Sequence, residues 1–150
     1  EQEARRQDDL ELKSRLFDKL IAANTFDAPV SLIEHELDNR LEEMARGLAQ
    51  RGIDPRKAEI NWESLRADQR EAGVKTVKAT LILERIVAQE ELKETEEDVE
   101  KEIEETAKSM NKSATVVRSR LMKEGGMDRL RQNLRREKAV DFIKQHAKLK

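Results

Sequence analysis

The chain has 150 residues, of which 41% are charged and 37% apolar, with four aromatics, two prolines, no cysteine and a formal net charge of −2. These figures exclude a disulfide scaffold and a cysteine-based zinc site, leave too little β-branched and aromatic material for a β-sandwich or barrel, and offer no apolar run near the ~20 residues of a membrane span. Ala, Glu, Lys, Leu and Arg supply 83 residues, a composition of long helices, so the expected chain is all-α, elongated, soluble and intracellular, with a charged N-terminus unlike a signal peptide.

A first helix is expected from about Glu3 to Ala23, with Leu12, Leu16, Phe17, Leu20 and Ile21 on one stripe. It stops before Asn24-Thr25-Phe26-Asp27-Ala28-Pro29, where the residue before proline is pushed toward extended backbone. Asp27 is the expected cap of a second helix, with Pro29 in its first turn and Phe26 packed on it as a staple. That helix carries Val30, Ile33, Leu37, Leu41, Met44 and Leu48 at spacings of three and four, a narrow stripe that needs one partner helix. Gly52 ends it. Residues 53–60 read as a loop, and Asn61 as the cap of a long third helix from Trp62 to about Gln89. The third helix is apolar on more than one face from Val77 to Val87, which makes that segment the expected buried centre. Gly73 within it marks a bend or a close crossing. Thr95 with Asp98 opens a fourth helix bearing Val99, Ile103, Ala107 and Met110. Asn111-Lys112-Ser113 is a turn with Ser113 as cap. A fifth helix carries Val116, Val117, Leu121 and Met122 to Gly125-Gly126, and a sixth carries Met127, Leu130, Leu134, Val140, Ile143 and Ala147. Two hairpin-like excursions result, one around residues 50–60 and one around 111–126.

Charge is unevenly spread. Residues 90–105 hold ten acids and two lysines, whereas residues 118–150 hold eleven bases and four acids. The basic end could bind RNA, but Phe142 is the single aromatic among those bases and a stacking platform needs several. Helices of opposite charge facing each other or solvent is the favoured reading, and a nucleic-acid partner is disfavoured.

Catalytic chemistry finds no support. His35 and His146 are the only histidines, and the residues three before them are Leu32 and Ile143, so the Glu-x-x-His pattern of di-metal bundles is absent. No Gly-rich phosphate loop and no Gly-x-Ser-x-Gly occurs. Ser31 falls four before His35 without an oxyanion loop beside it. No catalytic residue, metal site or cofactor is expected. The apolar residues near turns are more informative. Met44, Met110, Met122 and Met127 lie near helix ends, and a flexible thioether suits a surface that accepts varied partners, although it also fills core gaps. Ile53, Ile60 and Trp62 near the first hairpin tip are hard to bury within their own hairpin.

Taken in order, Asn24-x-Phe26-Asp27-x-Pro29, Leu32-Ile33-x-x-Glu36, the apolar run from Val77 to Ile86 leading to Glu91-Leu92, Thr95-x-Glu97-x-Val99 with Ile103, and Glu137-Lys138-Ala139-Val140-Asp141-Phe142-Ile143 followed by Ala147-Lys148 form a recognisable series. The chain resembles the C-terminal domain of bacterial trigger factor, a ribosome-associated folding chaperone of the cytoplasm. The resemblance implies a helical body, at about residues 1–27 and 127–150, with one arm at about 28–88 and a second at about 89–126. It implies a cradle between the arms that holds unfolded or nascent polypeptides without ATP. The family's ribosome-docking and prolyl isomerase modules are not represented in these residues, so no ribosome contact and no isomerase activity is expected of them. Positions matching Met110 and Val116 lie in a client-contacting patch of the family. Here Met110 stands where an aromatic is common, Ser119 and Arg120 replace residues that are often aromatic or apolar, and Gly73 stands where Ala is usual. The expected client contacts are Met110, Val116, Val117, Leu121 and Met122 in the second arm and Met44, Leu48, Ile53 and Trp62 in the first. The alternative is a helical coiled-coil scaffold protein that zips the Val30–Leu48 stripe to a partner. Self-association stays open in either case, and no membrane partner is expected.

Overall fold

In the computed structural model, which describes residues 2–146 and side chains from residue 10 on, every regular element is a helix. These are α1 (Gln2–Ala23), α2 (Val30–Gln50), α3 (Trp62–Gln89), α4 (Glu96–Ser109), α5 (Ala114–Lys123) and α6 (Gly126–His146). Ala147 and Lys148, the last residues of the motif series, lie outside the described residues. No described helix is long and apolar enough to cross a membrane. The chain divides into two compact units, Glu1–Leu81 and Ile82–Lys150, with the division falling inside α3.

Helix ends follow local chemistry. The Asn61 side chain accepts from the Ser64 amide at 3.0 Å, which opens α3 as its capping chemistry predicts. Thr95 and Asp98 form a reciprocal box at the start of α4: the Asp98 amide donates to Thr95 Oγ1 (3.1 Å) and the Thr95 amide donates to Asp98 Oδ2 (2.8 Å). Ser113 caps α5 by accepting from the Val116 amide. The start of α2 differs from expectation. Pro29 itself is the N-cap, at φ −56° and ψ 131°, and no side chain caps the helix. The proline ring fixes φ, its extended ψ aims the carbonyl into the helix, and that carbonyl accepts from the Leu32 and Ile33 amides. Asp27 has no capping role. Phe26 is half-buried, with the Lys78 ammonium 5.6 Å above its ring, a cation–π contact to α3.

Three helices end on one device. After α2, α3 and α4, a residue at positive φ lets the next amide reach back five residues: Ile53 to the Leu48 carbonyl around Gly52 (φ 77°), Leu92 to Val87 around Glu91 (φ 51°), and Lys112 to Ala107 around Asn111 (φ 54°). This is the Schellman closure, which satisfies carbonyls that the helix leaves free. The third helix therefore ends at Gln89, as its sequence predicts, and the chain turns at Glu90-Glu91.

In the first unit, α2 and α3 run antiparallel. Glu34 pairs with Arg70 (2.8 Å), and Asp38, one turn later, pairs with Arg66, one turn earlier (2.6 Å). Between them Ile33, Leu37 and Val77 form a buried cluster. Gly73 is buried at the crossing: a Cβ there would lie 3.2 Å from Leu37 Cδ2, so its role is a close approach of two helices. Lys75 pairs with Asp18 and ties α3 to α1, whose Leu16 is buried. In the second unit, α4, α5 and α6 pack on one another. Val99, Ile103, Ala107, Val117 and Leu134 make its core, with Val99 at 0% and Ile103 at 1% exposure. The expectation of one buried centre at Val77–Val87 is thus corrected. Val77 belongs to the first unit's cluster, Ile82 and Leu83 are buried in the second, and the tightest packing is among α4, α5 and α6. Three helices packed on one another surround a side chain on more sides than a pair of antiparallel helices can.

Candidate functional site

The second unit's hairpin is built by the inward face of α5. Ala114, Val117 and Leu121 recur at spacings of three and four and pack against the α4–α6 core. Val117 is 5% exposed, so its expected role as a client contact is corrected: it is a core residue. Leu121 is half-buried in the same packing. The residues beside that stripe point outward. Val116 is 52% exposed and Met122 63%, and Met110, the C-cap of α4, is 52% exposed. Val116 lines a shallow groove of about 340 Å³ along α5 with Thr115, Ser119, Arg120, Lys123 and Glu124. Neither Met110 nor Met122 lines it, so the three exposed side chains form separate contacts flanking one hairpin.

In the first unit the turn between α2 and α3 exposes Ile53 at 44%. The Schellman closure at Gly52 lifts it clear of α2, because Ile53 is the residue whose amide turns back to Leu48. Met44, Leu48 and Trp62 are half-buried and only partly available. Sequence reasoning missed Leu10, Val30 and Leu32, exposed at 65%, 64% and 41%. A signal was present for one of them: Leu32 falls off the three-four stripe of its helix, whereas Leu10 keeps the register of Phe17 and Ile21. Val30 is on its stripe but opens the helix, ahead of the first turn that α3 covers.

The charged residues form the frame of both units. Glu94, whose side chain is 8% exposed, accepts from Arg135 Nε (2.5 Å) and from Arg131 (3.2 Å). The Arg135 guanidinium, with Arg131 adding to it, holds its carboxyl down at about 2 despite partial burial. Asp98 is likewise held at about 2 by the Lys138 ammonium (2.6 Å) and the Thr95 amide. Arg136 pairs with Glu84 (2.5 Å), Arg131 with Glu96 (2.7 Å), and Arg118 with Glu100. Four bases of α5 and α6, Arg118, Arg131, Arg135 and Lys138, thus pair with the acidic stretch around α4, so the two oppositely charged stretches face each other in part. In the first unit Arg66 and Arg70 hold Glu34 below the usual carboxylate range. Arg40 donates to Glu36 (2.7 Å), Thr76 (2.7 Å) and Gln69 (3.2 Å), bracing α2 on α3.

Among the described residues no group of three or more His, Asp or Glu is placed to hold a metal ion. His35 is exposed. His146 stacks on Phe142 with ring centroids 4.1 Å apart, and its Nδ1 lies 2.8 Å from the Phe142 carbonyl oxygen. What the surface can do is desolvate apolar groups. Fully burying a Val or Met side chain contributes ~1.5–3 kcal/mol, so a half-exposed one offers about 1 kcal/mol to a partner, and binding must be shared among several.

The same residues answer to known sequences. The family described as the C-terminus of the bacterial trigger factor protein matches residues 1–145. The chain is similar to the trigger factor of Solibacter usitatus, 30% identical over 138 residues, covering 92% of this chain and 33% of that protein. Against the trigger factor of Koribacter versatilis it is 36% identical over 134 residues, 87% of this chain and 30% of the relative. Against that of Halalkalibacterium halodurans it is 33% identical over 144 residues, 93% and 33% respectively. The chain thus spans about a third of the length of these relatives. No solved structure matches significantly. With the motif series, the all-helical fold and a match running along almost its full length, the chain belongs to the family of the trigger factor C-terminus.

Proposed function

We propose that this chain is an ATP-independent chaperone domain that binds unfolded or nascent polypeptides through apolar side chains left exposed beside its helical hairpins. The observation that carries the reading is the exposure of Met110, Val116 and Met122 in one unit and Ile53 in the other, in a chain otherwise 41% charged. An apolar side chain in water is a cost that a non-native partner removes, and the charged surroundings keep the resulting complex soluble. Membership of the trigger factor family supports the same role. The division into a body at residues 1–27 and 127–150, an arm at 28–88 and an arm at 89–126, and a cradle between the arms, is the finer form of this proposal and comes from the family resemblance. Val30, Leu32 and Leu10 join the proposed contacts, and Val117 leaves them.

The coiled-coil alternative loses its main support, because α2 already spends Ile33 and Leu37 on its own α3. The test is aggregation of a chemically denatured protein diluted into buffer with this chain at equal concentration and no nucleotide. Slowed light scattering is the expected result. An unchanged aggregation rate across a tenfold excess of the chain refutes the reading.

A further inference from the structure

Sulfur occurs here only as thioether: four methionines and no cysteine. The fold sorts the four. Met110 and Met122 are 52% and 63% exposed, whereas Met127 packs against the α4–α5–α6 core and Met44 is half-buried on α2. The exposed apolar surface is sorted as well. The large exposed apolar side chains described in the first unit, Leu10, Val30, Leu32 and Ile53, are all hydrocarbon. Of the three described in the second unit, Met110, Val116 and Met122, two are thioethers.

We propose that Met110 and Met122 are oxidation sites through which a peroxide silences the second unit's polypeptide contacts while leaving those of the first unit intact; this rests on the chaperone reading above. The thioether sulfur attacks one oxygen of the peroxide. An S–O bond forms and the O–O bond breaks. Sulfur gives up two electrons, and the other oxygen leaves as water or alcohol after taking up the proton of the transferred oxygen. The sulfoxide carries a strong dipole in place of an apolar, polarizable sulfur, and burying it under a client leaves that dipole without water. Because neither side chain lies in the core, the modification changes the surface and spares the fold. With no thiol in the chain, no faster-reacting sulfur competes within it. Reversal falls to an enzyme of the methionine sulfoxide reductase class.

The experiment treats the whole chain with hydrogen peroxide and follows each methionine by peptide mass spectrometry, with circular dichroism and aggregation suppression measured on the same samples. Met110 and Met122 are expected to convert severalfold faster than Met44 and Met127, with unchanged helicity and a severalfold loss of suppression. A Met110→Leu/Met122→Leu chain, compared with itself before treatment, is expected to keep its suppression. Equal oxidation rates for all four methionines overturn the site assignment, and they do so whether or not the untreated chain suppresses aggregation. An oxidised double variant that loses suppression as the parent does overturns the silencing. An untreated parent that never suppresses aggregation refutes the chaperone reading, and the silencing with it, while the oxidation order still reports on the two sites.

Discussion

Glu91 holds a left-handed backbone that an L side chain adopts at a cost of ~1–2 kcal/mol, in a position where α2 uses Gly52 and α4 uses Asn111. Replacing Glu91 with Gly removes that strain and adds some chain entropy to the unfolded state. The expected result is a stabilisation of up to about 1 kcal/mol, read as a rise in thermal midpoint. The neighbouring valines Val116 and Val117 part company at the same scale. Val117→Ala opens a cavity among Val99, Ile103 and Leu134 and costs about 2 kcal/mol of stability by chemical denaturation. Val116→Ser leaves stability within about 0.5 kcal/mol and weakens polypeptide binding by a few fold. Sequence spacing separates these residues once Ala114 is counted with Val117 and Leu121, because the three then mark the buried stripe and leave Val116 and Met122 outside it.

At the scale of elements, the six helices were legible, and most sharply where a boundary rests on a residue with one physical job: Asn61, Thr95 and Ser113 as acceptors for free amides, and Gly52 for left-handed backbone. The cap at Asp27 was misread because the N-cap position falls to Pro29, whose fixed φ starts α2 and whose ring offers no acceptor, so the first turn goes without a side-chain cap. Which helices would share a core was not legible. The run Val77–Val87 is the most apolar, but it is divided between two packing neighbourhoods, and the charged α4 buries Val99, Ile103 and Ala107 more fully on a one-sided stripe. Gly73 was legible as a special position and only the structure shows its partner, Leu37. Gly73→Leu forces four carbons into that contact and is expected to destabilise the α2–α3 pair by about 1–3 kcal/mol, measured by hydrogen exchange of the α2 amides.

For the whole molecule, near-neutral net charge hides a dense pairing of unlike charges, and that pairing sets its response to pH. Glu94 and Asp98 are held at about 2, below the 4.5 and 3.8 of ordinary carboxyls. Depressed carboxyls stabilise the fold fully above their unfolded values and lose that contribution as pH falls through the folded ones. The second unit is therefore expected to lose stability between about pH 4.5 and 2, with Glu94→Gln shifting the parent's acid transition upward by weakening the hold on Arg131 and Arg135. A flat thermal midpoint across that window contradicts this. The same pairing predicts that polypeptide binding, being apolar, changes little with salt, in contrast to the steep dependence of a phosphate-binding surface.

The most direct measurement compares the parent with a Met110→Ser/Val116→Ser/Met122→Ser chain in the aggregation assay, after matching their helicity and thermal midpoints. Each substitution removes about 1 kcal/mol of available apolar contact, up to about 3 kcal/mol together, so the triple variant is expected to need at least about tenfold more protein for the same suppression. Equal suppression by both chains would contradict the claim that these exposed side chains hold the client.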